Sequence, residues 1–239
     1  MKEYYDLIIL VIANETNDNC YNDFLNEYWI KFINYVNYKS SNIKIFLLFG
    51  EKPTNINISD SNILISNTKE CLKPGILQKT IYAFEYCNIT YNYKHILRTN
   101  LSSFLILDNL ISLNHNLSDN GLYGGLRFGW GIGGSGMWLS NDVITYIILN
   151  KDKLNYRKID DVAIGYLLKG KFLKKSIPFF PMDIITIKKG NNYENRESVV
   201  KKIIKGNYYN VRLKQDNIDR TNDIKMVKYL WNFFYEDSK

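Results

Sequence analysis

Two adjacent carboxylates, Asp160 and Asp161, open the apolar run Val162-Ala163-Ile164-Gly165-Tyr166-Leu167-Leu168. One acidic residue suits a helix N-terminus, where a carboxylate can accept from unpaired backbone N–H groups, and Asp160 reads as that cap. That leaves Asp161 without a structural role, and such a carboxylate is a candidate general base. A second polar cluster interrupts an apolar run: His95-Ile96-Leu97 stops at Arg98-Thr99-Asn100-Leu101-Ser102-Ser103 before apolar residues resume at Phe104. It reads as a buried strand with a polar carboxyl end, the end at which open α/β sheets bind ligands, although an ordinary Asx or Ser turn leaves the same trace. A third stretch, Gly121 to Gly136, holds more than half of the 14 glycines, with Tyr123, Phe128 and Trp130 interleaved and Trp138 close behind. Glycine at this density implies positive φ or close approach of the backbone to something else. Aromatic faces beside such backbone suit the apolar C–H face of a carbohydrate ring. The spacing matches neither a dinucleotide fingerprint nor a P-loop.

These residues need a scaffold, and the periodicities supply one. Leu7 to Ile12 is a continuous aliphatic run, the pattern of a strand covered on both faces, and Ala13-Asn14-Glu15-Thr16 closes it. Phe24, Tyr28, Phe32 and Tyr35 recur at helical spacing over Asp23 to Val36, an aromatic stripe read as core. Ile43 to Phe49 is a second strand and Ile63 to Ser66 a short third. Strand, helix and strand of these lengths make a right-handed βαβ unit. Pro74-Gly75 opens a helix over Ile76 to Tyr86 that leads into the strand ending at Arg98; Lys79, off its apolar stripe, is either solvated or placed to contact a bound anion. Ser140-Asn141-Asp142 caps a helix to Leu149, Asp183 to Lys188 is strand-like, and Asp223 to Phe234 closes the chain as an amphipathic helix. Tyr208 to Lys214 alternates, with Asn210, Arg212 and Lys214 on one face.

With 239 residues, 46% of them hydrophobic and only 4 prolines, the chain suits one domain spanning 1–239. Three scattered cysteines and 2 histidines point to neither a disulfide framework nor a histidine-rich metal centre. The formal charge of +7 is compatible with nucleic acid, a membrane surface or a phosphate-bearing small molecule, but no nucleic-acid motif accompanies it and the basic residues are scattered. Abundant Lys, Asn, Ile and Tyr suit an AT-rich genome, such as that of a large DNA virus. No signal peptide and no run of about 20 apolar residues stands out, so a soluble, cytoplasmic protein is expected.

Four segments, in order, resemble the β-1,3-glycosyltransferases and Fringe-like enzymes of the GT-A fold. Gly75-Ile76-Leu77-Gln78-Lys79-Thr80 is similar to the helix before that family's central strand. Leu97-Arg98-Thr99-Asn100-Leu101-Ser102 is similar to the strand end that carries its acidic DxD motif. Gly133-Gly134-Ser135-Gly136-Met137-Trp138-Leu139-Ser140-Asn141-Asp142-Val143 resembles its glycine-rich segment and following helix start, and Asp160-Asp161-Val162-Ala163-Ile164-Gly165 its acidic motif followed by glycine.

The resemblance covers about residues 70 to 170 and implies a single GT-A-like, Rossmann-like α/β domain with a mixed, mainly parallel central sheet flanked by helices. It further implies transfer of a sugar from a nucleotide-sugar donor, UDP-linked by preference, to a hydroxyl of a glycan or glycoprotein by inverting displacement. On this footing Asp161 is the base, with Asp160 beside it. Asn14, Glu15, Lys79, Arg98, Asn100 and Ser102 face the donor, and Gly134, Ser135 and Trp138 face the acceptor. Arg212 and Lys214, with Arg220 a little further on, lie in the region that folds back over the donor. Family members hold a manganese or magnesium ion with the DxD carboxylates; Asn100 and Ser102 are neutral here, so no cofactor is expected and metal-independent transfer is. The same loss of carboxylates suits an alternative, a non-catalytic protein of this fold that binds a nucleotide or glycan.

Overall fold

The computed structural model describes residues 1–14, 19–53, 59–129, 131–178, 180–183, 196–214 and 220–236. The first strand, β1 (Glu3–Ile12), shows why its sequence runs apolar without alternation: Leu7, Ile9 and Val11 are buried in one core cluster and Ile8, Leu10 and Ile12 in another. Helix α1 (Asn19–Phe24) continues through a π turn at Leu25–Trp29 into α2 (Ile30–Lys39). Next come β2 (Ile43–Phe49), β3 (Ile63–Ile65), α3 (Gly75–Thr90) and β4 (Tyr91–Asn100). The apolar segment after β4 is divided between a short strand, β5 (Ser103–Leu105), and helix α4 (Leu107–His115).

The described part of the glycine-rich stretch carries three short strands. It holds β6 (Tyr123–Gly125), a hairpin of β7 (Arg127–Phe128) and β8 (Gly131–Ile132), and leads into β9 (Met137–Ser140). Helices α5 (Asn141–Leu149) and α6 (Asp160–Leu168) follow, then β10 (Lys174–Ser176) and β11 (Phe180–Asp183). The strand expected at Asp183 to Lys188 thus meets β11 only at its first residue, and 184–188 lie outside the described residues. Helix α7 (Arg196–Lys205), which the sequence reading had not placed, precedes β12 (Asn210–Lys214) and α8 (Thr221–Trp231), and a π turn at Asn232–Glu236 ends the described chain.

Seven strands form one mixed, mainly parallel sheet in the order β10-β6-β9-β4-β1-β2-β3. β1 pairs in parallel with both β2 and β4, while β9 runs antiparallel to β4. Strand order therefore reverses at β1: β2 and β3 build outward on one side, and β4 returns to the other. In such sheets the carboxyl ends at the reversal form the crevice where ligands bind. Here those ends are Ala13-Asn14 after β1 and Arg98 to Asn100 of β4, with Ile12 opposite Asn100 in register.

Helices cover both faces. Side chains from α1, α2 and α8 fill one core with Leu97 and Phe104, and those from α3, α5 and α6 fill the other with Ile96 and Leu139. The aromatic stripe of the first helical segment is core, as its spacing indicates: Tyr28 and Phe32 are fully buried and stack 5.3 Å apart, and Phe104 lies 4.7 Å from Tyr28. Its polar atoms tie down the chain that leaves β4. Trp29 Nε1 donates to the Leu101 carbonyl (2.7 Å), and the Tyr28 hydroxyl accepts from Leu105 N–H (2.7 Å). Tyr235 accepts from Leu107 N–H (3.0 Å) and donates to the Leu105 carbonyl (2.7 Å). Tyr235→Phe leaves that buried N–H without a partner and is expected to lower stability by about 1–3 kcal/mol. A urea midpoint equal to wild type, at unchanged m, would contradict this role for the hydroxyl.

Candidate active site

Period two along β4 puts Ile96, Arg98 and Asn100 on one face of the sheet, toward α3 and α6. Arg98 is only 3% exposed, so its charge needs partners inside the fold. Its Nε donates to Asp160 Oδ2 (2.8 Å), and Nη2 forms an ion pair with the same oxygen at 2.7 Å. Nη1 donates to Asn100 Oδ1 (2.7 Å) and to the Gly134 carbonyl. Thr80 of α3 places its hydroxyl 3.0 Å from the same Asp160 oxygen. Asp160 is therefore no helix cap: it is the first helical residue of α6, Ile159 occupies the cap position, and its carboxylate turns inward to the guanidinium. A buried cation outcompetes a few backbone N–H groups for that acid.

The same contact explains a glycine. A methyl group on Gly134 would lie 2.5 Å from Arg98 Nη1, so the guanidinium occupies the space of a side chain there. The next peptide is held from the opposite side, because the Ser135 carbonyl accepts from Thr99 Oγ1 (2.9 Å) and Asn210 Nδ2 (2.6 Å). Fixed at both carbonyls, the turn aims Gly134 N–H at Asp161 Oδ2 (3.1 Å), while Val162 N–H donates to Oδ1 (2.8 Å). Gly134 and Ser135 thus contribute backbone. Asp161 is half-buried, and burial, followed by the neighbouring charge of Asp160, raises its pKa above the usual aspartate range; Arg98 and the two N–H groups oppose this only in part. It faces a pocket of about 80 Å³ lined with Phe128, Gly129, Gly131, Ile132 and Val162. A proton-seeking carboxylate on the wall of a pocket can act as a base.

Lys79 is 2% exposed and belongs to the same edge of the sheet. Its Nζ donates to the Ala13 carbonyl (2.6 Å) and to Glu70 Oε2 (2.7 Å), so it is not solvated. Glu70, which no motif marked, also accepts from Gly50 N–H and so joins the ends of β1 and β2. Burial depresses the pKa of Lys79, and Glu70 works against that shift. Beside Ala13, Asn14 Oδ1 is buried with no hydrogen-bond partner among the described residues. Glu15 and Trp130 lie outside the described residues. Ser102 is buried in the turn after β4, and its carbonyl accepts from Leu213 N–H (2.8 Å). Through that bond and the pairing of Arg212 with Ser103, β12 lies against the end of β4, with Arg212 and Lys214 half-buried.

Two expectations are corrected by burial. Trp138 is fully enclosed, 5.5 Å from the Tyr209 ring and 6.5 Å from His95, and offers no face to a ligand; Tyr123 is also buried, accepting from Ile132 N–H. Arg220 is a core residue, paired with Asp223 and donating to the Leu213 carbonyl.

No protein-family model and no curated protein matches the sequence. Solved structures do. One is described as a glycosyltransferase involved in the glycosylation of the major capsid of PBCV-1; at 9% identity it covers 93% of this chain and 98% of its own, with a TM-score of 0.52. The fold is GT-A-like.

In a GT-A-like frame the end of β4 is where acidic side chains would hold a metal. The residues present do not fit one: Asn100 Oδ1 already faces a guanidinium, Ser102 is neutral, and among the described residues no three His, Cys, Asp or Glu side chains gather at a metal site. Arg98→Met would keep the bulk and strand Asp160 without its counter-ion. It is expected to cost about 3–5 kcal/mol, read as a lowered denaturation midpoint. A midpoint within error of wild type would show that Asp160 finds another partner at no cost.

Proposed function

We propose that this chain is a glycosyltransferase that moves a hexose from a UDP-linked donor to a hydroxyl by inverting displacement, without a metal. The observation that carries the proposal is Asp161, held by two backbone N–H groups on the wall of a pocket beside the Arg98–Asp160 pair and pushed toward binding a proton. The resemblance to the β-1,3-glycosyltransferases and Fringe-like enzymes, with Asn100-Leu101-Ser102 in the place of DxD, supports it. Asp161 takes the proton of the acceptor hydroxyl as its oxygen attacks the anomeric carbon. The bond from that carbon to the donor phosphate breaks, and the electron pair leaves with the nucleoside diphosphate.

The donor side follows from charge and hydrogen-bond accounting. Arg98 and Lys79 are each matched by a buried or half-buried carboxylate, so their role is to hold the ends of β1 and β4 in place. For the phosphates, the closeness of β12 to the end of β4 supports Arg212 and Lys214 as the cations. Asn14 Oδ1 supplies an acceptor for a donor group of the nucleoside.

Asp161→Asn removes the proton acceptor with little change of shape. Transfer is expected to fall about 10²- to 10⁴-fold with nucleotide affinity nearly unchanged; full activity would eliminate the assigned base. The pH dependence carries a sign as well. With a folded-state pKa raised above the ordinary value of about 3.9, Asp161 supports folding most below that value and loses this contribution as pH rises through its raised pKa. Catalysis needs the ionised form, so the acid limb of the rate profile should lie above the ordinary aspartate range. An acid limb at or below it would contradict the burial argument.

Titrating UDP and UDP-hexoses calorimetrically with and without EDTA tests the donor side. Binding and transfer should survive the chelator, and Arg212→Ala should weaken UDP binding by about 1.5–3 kcal/mol. Activity that disappears with EDTA and returns with manganese would overturn metal independence.

A further inference from the structure

The hairpin of β7 and β8 presents a ring beside the base, and it does so by construction. Phe128 pairs with Gly131, so their side-chain positions share a face, and glycine opposite leaves the ring uncovered at 65% exposure. Gly131 is small for a reason of its own: a methyl group there would lie 3.0 Å from the Asp161 carbonyl. The hairpin therefore rests on the start of α6, and Gly129, at φ +46°, closes it. The result is a pocket wall of phenyl ring and Ile132 with Asp161, the one carboxylate among its described residues, set into it.

A ligand for this wall needs a flat apolar face to cover the ring and a hydroxyl a short distance away for the carboxylate. A pyranose has both, with C–H bonds on one face and hydroxyls around its rim. A serine or threonine side chain has the hydroxyl without the face, and a phosphate would meet the charge of Asp161 unfavourably. We propose that Phe128 is the platform for a neutral acceptor sugar, stacked so that one hydroxyl reaches Asp161. The inference rests on the glycosyl-transfer reading and narrows its acceptor to a glycan.

Saturation-transfer NMR on the full chain tests it, with the methyl β-glycosides of glucose, galactose and N-acetylglucosamine as probes and N-acetylserinamide as the comparison. At least one glycoside should receive saturation at its ring C–H protons while the serine derivative receives none. Phe128→Ala should reduce that signal about fivefold or more, and Phe128→Tyr, which keeps the aromatic face, should retain it. UDP binding by calorimetry should be the same in all three proteins. Saturation of no glycoside, an undiminished signal in Phe128→Ala, or equal saturation of the serine derivative would each overturn the proposal. UDP binding accompanied by any of these sinks the platform alone, whereas wild-type protein that binds no nucleotide sinks the glycosyl-transfer reading beneath it.

Discussion

A guanidinium buried to 3% exposure cannot remain charged in a folded chain without compensation, and much of this site follows from how Arg98 is compensated. Its contacts to Asp160, Asn100 and the Gly134 carbonyl, with Thr80 joining through Asp160, tie together β4, α6, α3 and the turn before β9. Asp160 sets where α6 begins, Asn100 sets the last residue of β4, the Gly134 carbonyl sets the turn before β9, and Thr80 brings α3 to the same carboxylate. Gly134 must be glycine because the guanidinium stands where its side chain would be. Asp161 receives the Gly134 N–H because that turn is held in place. Asp161, the proposed base, is thus positioned through the contacts of its neighbour Asp160.

Charge matching gives the site its chemistry. Arg98 is paired with Asp160 and Lys79 with Glu70, so both buried cations are balanced locally. Asp161 receives hydrogen bonds from backbone alone among its described contacts, and the adjacent Asp160 raises its proton affinity further. Neutral pairs organise the crevice, and one carboxylate is left with a reason to take a proton. A cation held at Asn100 would have to displace the guanidinium from a neutral amide oxygen, whereas magnesium and manganese favour carboxylate ligands.

The fold was largely legible because its signals are local. An apolar run covered on both faces, a 3.6-residue aromatic stripe and the polar stop after Leu97 each state their element with no need of the rest of the chain. The site was legible only by place. Asp160 and Asp161 are neighbours whose side chains diverge by about 100° around a helix, and which one faces inward depends on Arg98, sixty-odd positions earlier. Glu70 belongs to no motif and becomes an ion-pair partner only when α3 brings Lys79 beside it. Among the aromatics of the glycine-rich stretch, pattern did not separate Trp138 and Tyr123, which are enclosed, from Phe128, which is not. The discriminating feature was the residue across the hairpin from Phe128, a glycine, and that pairing exists only in the folded register. Helix α7 is hard to read because its four apolar positions, Val199, Val200, Ile203 and Ile204, are outnumbered by charged residues.

The central claim is that one crevice, at the reversal point between β1 and β4, holds the reacting groups. A crystal structure of the chain with UDP-hexose bound examines it most directly. The diphosphate is expected at the carboxyl ends of β1 and β4 beside β12, with the anomeric carbon open to attack from the Asp161 side and the Arg98–Asp160 pair intact. A nucleotide seated at the opposite, amino end of the strands, in the pocket between Asp6 and His115, would contradict the account.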